Sequence, residues 1–296
     1  MTIKTLSPSG VASTIDVHGH MRRRARKRRE GWTAARRSVV MLVITAFLLV
    51  PILAVVFLSL TPPLTEQSDG IGLASWMYVF NQTQIGLWMA NSLWVALLST
   101  AVVIVVAAPA GYVLSRGRGR VTSAFSISIF IVQSFPVVIF VIPLFILFSG
   151  LGLVDNLFGV MIIYVAQAIA VGCWMLTSYF DTIPIALEEA AWMDGASVVG
   201  AFFRVVLRNS LPGVLSTAIY AFLLVWNDYL IAIVFIRSSN NFTLPIGIQT
   251  FFQQNQTDWG PVMACAVLML VPPMIVFALF NRFFSVGGVG GSLAGR

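Results

Sequence analysis

Six apolar runs of about twenty residues are the feature that most constrains this chain. We place them at about 38–60, 90–115, 122–149, 156–180, 213–236 and 260–284, the third interrupted by Pro136 and Pro143. The hydrocarbon core of a bilayer is about 30 Å thick and needs roughly 20 apolar residues per helix. Charged residues make up 10% of the chain, whereas ordinary soluble domains carry roughly 25%. The sequence therefore predicts an all-α polytopic membrane protein with six transmembrane helices.

Basic residues predict the orientation of these spans. Placing both termini in the cytoplasm puts 17 of the 18 lysines and arginines on that side and leaves only Arg237 outside. Shifting the register by one span reverses this distribution, so the positive-inside rule selects one topology. We therefore expect a multi-pass protein of the cytoplasmic (inner) membrane with its N- and C-termini in the cytoplasm.

The chain divides into three predicted regions. Residues 1–37 form a basic cytoplasmic segment, partly disordered, whose cluster at 22–29 suits the anionic headgroups of membrane lipids. Residues 38–285 form the transmembrane domain, and residues 286–296 form a glycine-rich cytoplasmic tail. The first apolar run is too long for the core of a signal peptide, so we interpret it as an uncleaved helix.

Several classes of site are disfavoured by the sequence. Cys173 and Cys265 both fall in apolar runs, where a small buried side chain is the simplest interpretation. The two histidines, His18 and His20, lie in the polar N-terminal stretch and predict no metal site. No span offers a nucleophile with a histidine partner, and no phosphate loop of the Gly-x-x-x-x-Gly-Lys-Ser/Thr type is present. We predict no catalytic residue, no cofactor in this chain and no nucleic-acid partner.

The loop between the fourth and fifth runs, residues 181–212, is too polar to cross the membrane, and its residue pattern predicts regular structure. Pro184 suits the first turn of a helix, and residues 186–193 are good helix formers. Asp194 and Gly195 form a break, after which Ser197 can cap a second helix. Two short helices at an angle make a compact projection with carboxylates that could pair with a basic protein partner. An ordinary amphipathic surface helix remains the alternative interpretation.

The same loop carries a family resemblance. Asp181-Thr-Ile-Pro184 followed by Leu187-Glu-Glu-Ala-Ala-Trp-Met-Asp-Gly-Ala-Ser197 closely resembles the "EAA" loop of ATP-binding-cassette (ABC) importer permeases. The likeness extends over most of the chain and is greatest to the MalG-type subunit of carbohydrate importers. Further matching pieces, in family order, are Asn91-Ser92, Tyr112-x-x-x-Arg116, Ile142-Pro-Leu144, Trp226-Asn-Asp-Tyr-Leu230, Leu244-Pro-Ile-Gly247 and Asp258-Trp-Gly260.

The resemblance implies a function and partners. The chain would be a permease subunit without ATPase activity of its own, paired with a second permease of the MalF type. An ATP-binding-cassette ATPase dimer would hold ATP and Mg, and an extracytoplasmic solute-binding protein or lipoprotein would deliver the solute. Glu189 would contact the ATPase and Gly195 would form the turn between the loop helices. The full set of predicted coupling residues is Glu188, Glu189, Ala190, Ala191, Asp194 and Gly195.

Two positions depart from the family pattern. Where the family commonly has a Leu-Pro pair, this chain has Leu207 and Arg208, so the joint between the second loop helix and the fifth span is in question. Ala294 stands where the family tail often has a lysine, which puts a tail contact with the ATPase in doubt.

Candidate solute-pathway residues lie in the fifth run. Asp228 is the only formal charge well inside a predicted span, and an intramembrane carboxylate suggests a functional site. Its neighbours Trp226, Asn227 and Tyr229 could bind a hydroxyl-rich sugar through ring faces and polar groups. A structural role between helices is the alternative for Asn227 and Asp228.

The sequence leaves open which solute is transported and which energy source drives transport. A sugar or oligosaccharide is the leading solute, and a polyamine or a sugar phosphate is moved by similar permeases. An ion-coupled secondary transporter is disfavoured, because no inverted repeat is visible and one intramembrane acid is few for proton or sodium coupling.

Overall fold

The computed structural model describes residues 36–64, 70–252 and 257–288. The basic N-terminal segment up to residue 35 and the tail from residue 289 lie outside these ranges, and so do the predictions made for them. The chain divides into two units, Met1–Phe57 and Leu58–Arg296. Within the described ranges the structure is helical, and the extended pairing there is a single bridge between Phe252 and Thr257. The prediction of an all-α protein is confirmed.

Twelve helices are numbered here in chain order over the described ranges. They are α1 (Arg36–Leu58), α2 (Ala74–Gln82), α3 (Ile85–Arg116), α4 (Arg120–Ser134), α5 (Val137–Gly150), α6 (Leu157–Phe180), α7 (Ala186–Met193), α8 (Val198–Asn209), α9 (Leu211–Trp226), α10 (Leu230–Phe235), α11 (Leu244–Gln249) and α12 (Trp259–Gly288). Four of them, α1, α3, α6 and α12, are long and apolar enough to cross a membrane by themselves. Two bent pairs raise the number to six if each pair counts as one span.

The third predicted span is a bent pair, α4 and α5, that meet at 92°. Pro136 lacks the N–H that would continue the helix, and it biases Phe135 toward the extended conformation observed there (φ −85°, ψ 131°). The predicted interruption at Pro136 is therefore confirmed. The second predicted interruption is wrong, because Pro143 lies inside α5 without ending it.

The fifth predicted span is also interrupted, although the sequence predicted one run over 213–236. Helix α9 ends at Trp226, and a new short helix, α10, begins at Leu230. One carboxylate oxygen of Asp228 accepts the backbone N–H of Ile231 at 3.0 Å and of Ala232 at 3.3 Å. Asp228 therefore caps α10 from within the break, which is the competition with helix continuation that aspartate offers.

Helices α3, α6 and α9 pack together as the centre of the second unit. Small residues let α3 and α6 approach closely, since a side chain added at Gly111 would meet the Cys173 carbonyl at 3.1 Å. One buried cluster includes Cys173, Leu176 and Phe180 of α6 and continues into Phe202 and Val206 of α8. The polar loop after α6 is thus anchored in the same core as the spans.

Candidate functional site

The first loop helix is the one that the sequence predicted, α7, ending at Met193. Its end is closed by two backbone hydrogen bonds, from Gly195 N–H to the Trp192 carbonyl and from Ala196 N–H to the Ala191 carbonyl. This is the Schellman arrangement, which needs a left-handed residue after the helix. Gly195 has φ +86°, so the predicted turn glycine has the conformation that favours glycine.

The second loop helix, α8, begins with the predicted cap. The Ser197 hydroxyl accepts the backbone N–H of Gly200 at 3.1 Å, which satisfies one of the free donors at a helix start. Helix α8 then bends by 77° into α9 at Ser210. We call α7 and α8 together, residues 186–209, the knob.

Arg208 does not prevent this joint. Its side chain is exposed on α8, and Pro212 occupies the first turn of α9, where a missing N–H leaves no extra donor unpaired. The sequence left open how the knob joins the fifth span. In the structure the two are joined by a sharp bend at Ser210, two residues after Arg208.

The prediction for Glu188 was wrong in one respect, because its carboxylate is not exposed. Glu188 is 0% exposed, while its neighbour Glu189 lies on the surface of α7. One Glu188 oxygen accepts the Tyr112 hydroxyl at 2.6 Å, and the other accepts the Arg116 Nε–H at 2.7 Å. We call these three residues the Glu188 clamp.

The Glu188 clamp ties the knob to the last turn of α3. Besides Glu188, the Arg116 guanidinium donates to the Ile183 carbonyl at 3.0 Å, just before α7. The Tyr112 ring lies 4.9 Å from the ring of Phe202 on α8. Both helices of the knob therefore contact the end of one span. The Tyr112-x-x-x-Arg116 spacing is one helical turn, which places both side chains on the face that meets Glu188.

A second polar contact supports the same junction. The Ser115 hydroxyl donates to Asp181 at 2.5 Å, where the chain leaves α6. A buried carboxylate without a partner is energetically costly, but the buried Glu188 carboxylate has two charge-assisted hydrogen bonds that offset this cost. The knob is consequently held in a defined position by α3.

The outer surface of the knob has a different character. Glu189, Ala190, Asp194 and Gly195 are exposed and Ala191 is partly so. Neither Glu189 nor Asp194 uses its carboxylate in a hydrogen bond or ion pair with the described part of the chain. Large apolar side chains of the knob are exposed as well: Met193 (88%), Val199 (64%) and Phe203 (59%). A surface that carries both exposed apolar and acidic side chains is typical of a protein–protein contact.

Trp226, a predicted pathway residue, is buried, with 1% of the residue exposed. Its indole N–H donates to the Met269 carbonyl of α12 at 3.0 Å. Pro273, four residues further on, has no N–H to give to that carbonyl. Trp226 therefore satisfies an acceptor that the proline leaves free, and in this structure it joins two helices rather than facing open space.

Asp228 likewise has internal partners. Besides capping α10, it accepts the Tyr164 hydroxyl of α6 at 2.8 Å. Asn227 donates to the Leu223 carbonyl of its own helix at 2.8 Å. For Trp226 and Asp228 the structure thus favours the packing interpretation, and Asn227 and Tyr229, both exposed, remain pathway predictions.

Two family pieces that the sequence left separate come together at the other end of α3. The Asn91 amide donates to the carbonyls of Asn240 and Phe242 at 2.9 and 3.0 Å. The Ser92 hydroxyl accepts the Leu244 N–H, which opens α11, at 2.7 Å. Asn91-Ser92 therefore holds the segment that contains Leu244-Pro-Ile-Gly247, an arrangement that no local pattern could reveal.

The knob, the clamp and both bent spans lie within the part of the chain that a family model matches. The profile of the family described as "Binding-protein-dependent transport system inner membrane component" matches residues 104–285. The chain belongs to this family. As a member it is a permease subunit of an ABC importer and a component of the inner membrane.

Individual relatives are similar over most of this permease. It is 36% identical over 208 residues to the inner membrane ABC transporter permease protein YcjP of Escherichia coli K12, covering 70% of this chain and 74% of the relative. It is 30% identical over 257 residues to the arabinooligosaccharides transport system permease protein AraQ of Halalkalibacterium halodurans, covering 81% and 91%.

A solved structure has a similar fold. It is a chain in the crystal structure of a bacterial ABC transporter involved in the import of the acidic polysaccharide alginate. The TM-score is 0.69 at 20% sequence identity, over 95% of this permease and all of that chain. At this identity the likeness concerns the fold alone.

Proposed function

We propose that this permease translocates a carbohydrate and that the knob docks on an ATPase dimer. One observation carries the docking proposal: the two adjacent glutamates of α7 point to different environments. Glu188 is used internally, whereas Glu189 is exposed, has no partner in the described chain and shares α7 with exposed apolar residues such as Met193. Helix α7 is thus held to α3 by Glu188 and presents the unpaired carboxylate of Glu189 on its outer face. Such a surface is suited to bind a basic surface of a partner protein.

The coupling would use the knob as a lever. Closure of the ATPase dimer on ATP would move the knob, and the Glu188 clamp would pass that displacement to α3. Because Tyr112 and Arg116 contact both the first loop helix and the segment before it, the knob and the end of α3 would move as one body. ATP and Mg would be bound by the partner ATPase, and none of the coupling residues needs to react.

The remaining partners follow from the type of transporter. The family description names a binding-protein-dependent system, which supports an extracytoplasmic solute-binding protein or lipoprotein as the donor of solute. A second permease subunit of the MalF type would complete the pathway. The surrounding partner of the apolar helices would be membrane lipid.

The orientation proposed from charge agrees with these roles. With both termini in the cytoplasm, the knob faces the side where ATP is available, and the segment at 237–252 faces the solute-binding protein. Arg237, the only basic residue assigned to the outside, lies in that segment.

Carbohydrate is the proposed solute class for two reasons. The relative AraQ, similar over most of both chains, is named for arabinooligosaccharides. The family pieces quoted above resemble those of the MalG-type subunits of carbohydrate importers. A polyamine or a sugar phosphate would be the competing solute.

The docking proposal is tested by Glu189→Lys in cells that express the complete transporter. We expect solute uptake to be abolished while the protein stays in the membrane at wild-type amount, because the lysine opposes a basic ATPase surface. Thr182→Lys is the control, since it introduces the same side chain into the same loop at an exposed site outside the knob. Normal uptake by Glu189→Lys would overturn the docking proposal.

The energy source is tested separately. The purified chain is expected to hydrolyse no ATP, and the reconstituted chain alone to show no uptake driven by a proton or sodium gradient. Gradient-driven uptake in liposomes by this chain alone would instead support a secondary transporter.

A further inference from the structure

A cavity of about 350 Å³ lies where α4, α5 and α6 meet. It is bounded by the end of α4, by the break at Phe135 and by the middle of α6. The break is the 92° bend between the two halves of the third span. Because α4 ends at this bend and α5 continues in another direction, the two helices leave a gap between them.

Two glutamines line this cavity, Gln133 from α4 and Gln167 from α6. The Gln167 Oε1 atom is buried and has no hydrogen-bond partner in the described chain. Gln133 makes no side-chain hydrogen bond with the described residues either. In a membrane protein such amides are normally satisfied by a neighbouring helix, because hydrocarbon offers no partner. Gln133 is exposed, whereas the Gln167 oxygen is buried without a partner among the described residues, so it is this oxygen that indicates a ligand with hydroxyl groups. Gln133 lines the same cavity and lies where it could contact that ligand.

The rest of the lining narrows the chemistry of that ligand. The other wall residues are apolar, and three of them are aromatic: Phe135, Phe140 and Phe148. None of the described lining residues carries a charge. A polyamine would need carboxylates and a sugar phosphate would need basic residues to replace their hydration. Amides beside phenyl rings instead suit an uncharged molecule with hydroxyl groups and apolar faces.

We propose that this cavity, which we call the glutamine cavity, is a solute subsite for a neutral saccharide unit within the membrane. Gln133 and Gln167 hydrogen bond to ring hydroxyls, and the phenylalanines pack against the apolar face of the ring. This proposal rests on the proposed function, because it assigns the pathway of the same transport. It differs from the pathway residues suggested by the sequence, of which Trp226 and Asp228 are engaged by other parts of the fold.

The experiment compares Gln133→Leu, Gln167→Leu and the double variant in the complete transporter. The probes are radiolabelled glucose, maltose, trehalose, glucose 6-phosphate and putrescine, each over a range of concentrations. For the sugar that the wild type carries, we expect each single variant to lower the ratio of maximal uptake rate to half-saturating concentration by roughly 3- to 10-fold, the effect of losing one or two neutral hydrogen bonds. The double variant should lose more than either single variant.

Asn281→Leu is the matched control. Asn281 is another lone amide in a predicted span and is exposed like Gln133, but it lies on α12, outside the cavity. We expect its uptake rate to equal that of the wild type. Co-purification of the partner subunits, measured for every variant, reports whether the amides contact a second permease chain instead.

The outcomes separate this proposal from the proposed function. Wild-type transport of a neutral sugar with unaffected glutamine variants would overturn the subsite and leave the carbohydrate permease intact. Loss of the second permease from the purified complex in the glutamine variants would also overturn it, by assigning the amides to a subunit interface. Transport of putrescine or glucose 6-phosphate but of no neutral sugar would overturn both.

Discussion

Glu188 and Glu189 show how strongly one residue's position on a short helix decides its role. Adjacent residues on a helix point about 100° apart, so one of the pair faces α3 and the other faces outward. In sequence both are acidic members of one motif. In the fold, Glu188 accepts hydrogen bonds from Arg116 and Tyr112, and of the two glutamates only Glu189 is available to a partner protein.

The strength of the Glu188 clamp can be measured with Arg116→Leu. This change leaves the Glu188 carboxylate buried without its cation, and removing one partner of a buried ion pair costs about 3–5 kcal/mol. We expect a clear loss of thermal stability of the purified protein and a loss of uptake. Arg118→Leu is the control, since Arg118 is exposed and forms no ion pair with the described residues. Equal melting temperatures for the two variants would contradict the structural role of the clamp.

The elements are positioned by close approaches that only glycine permits. An added Cβ at Gly213, near the start of α9, would lie 2.3 Å from the Tyr179 ring of α6. We expect Gly213→Ala to destabilise the protein by about 1–3 kcal/mol, the usual cost of overpacking, as measured by thermal unfolding.

Gly150 provides the comparison for that variant. It is the last residue of α5, and an added Cβ there meets nothing within 4 Å. Gly150→Ala should be neutral or slightly stabilising, because alanine loses less backbone entropy on folding. A destabilisation as large as that of Gly213→Ala would show that the close α6–α9 contact is not the cause.

The connection between α5 and α6 is held by one carboxylate. Asp155 accepts the backbone N–H groups of Arg237 and Ser238, both at 3.0 Å, and the Ser238 hydroxyl at 2.9 Å. Burial raises the pKa of Asp155, but the hydrogen bonds from Ser238, Arg237 and Asn241 outweigh it and lower the pKa to about 2 from the ordinary 3.8. The interaction with the segment after α10 is therefore strongest when Asp155 is ionised.

This pKa shift predicts a pH dependence. Because the pKa of Asp155 in the folded state lies below its ordinary value, the stabilisation of the fold by ionised Asp155 is present above about pH 4. It is lost as the pH falls toward 2. We expect hydrogen exchange at the amides of Arg237 and Ser238, corrected for intrinsic rates, to accelerate over that interval. Asp155→Asn should remove the pH dependence while tolerating the backbone φ of 57°. An unchanged profile in that variant would assign the dependence to another group.

For the whole molecule, the distribution of basic residues predicts a single orientation. The knob and the segment at 237–252 should face opposite sides of the membrane. Cysteines introduced at exposed positions test this: Val199→Cys on the knob and Ser239→Cys after α10. Both native cysteines are buried, which suits them to remain in place. In cells that express this chain without its ATPase, an impermeant maleimide should label only Ser239→Cys when the cells are intact, and only Val199→Cys in inverted vesicles, where no ATPase covers the knob. The opposite labelling would reverse the assigned topology.

Much of the architecture was readable from local sequence, because it depends on neighbouring residues. Apolar run length predicts the spans, and Pro136 predicts the break between α4 and α5. The bounds of α7, the turn at Gly195 and the cap at Ser197 all follow from interactions over one or two helical turns. The short helices α2 and α11 were missed, since neither is long or periodic enough to stand out.

The sequence alone determined that this protein crosses the membrane as helices and carries a two-helix loop with acidic residues, because those features depend on composition and nearby hydrogen bonds. Only the tertiary structure decided which of the acids is free. Glu188 meets Arg116 across 72 residues and Asp228 meets Tyr164 across 64, and such pairings arise from the packing of whole helices. The same packing buries Trp226 and leaves the Gln167 oxygen without a partner among the described residues. The proposed solute contact therefore moves from a predicted carboxylate to a neutral cavity.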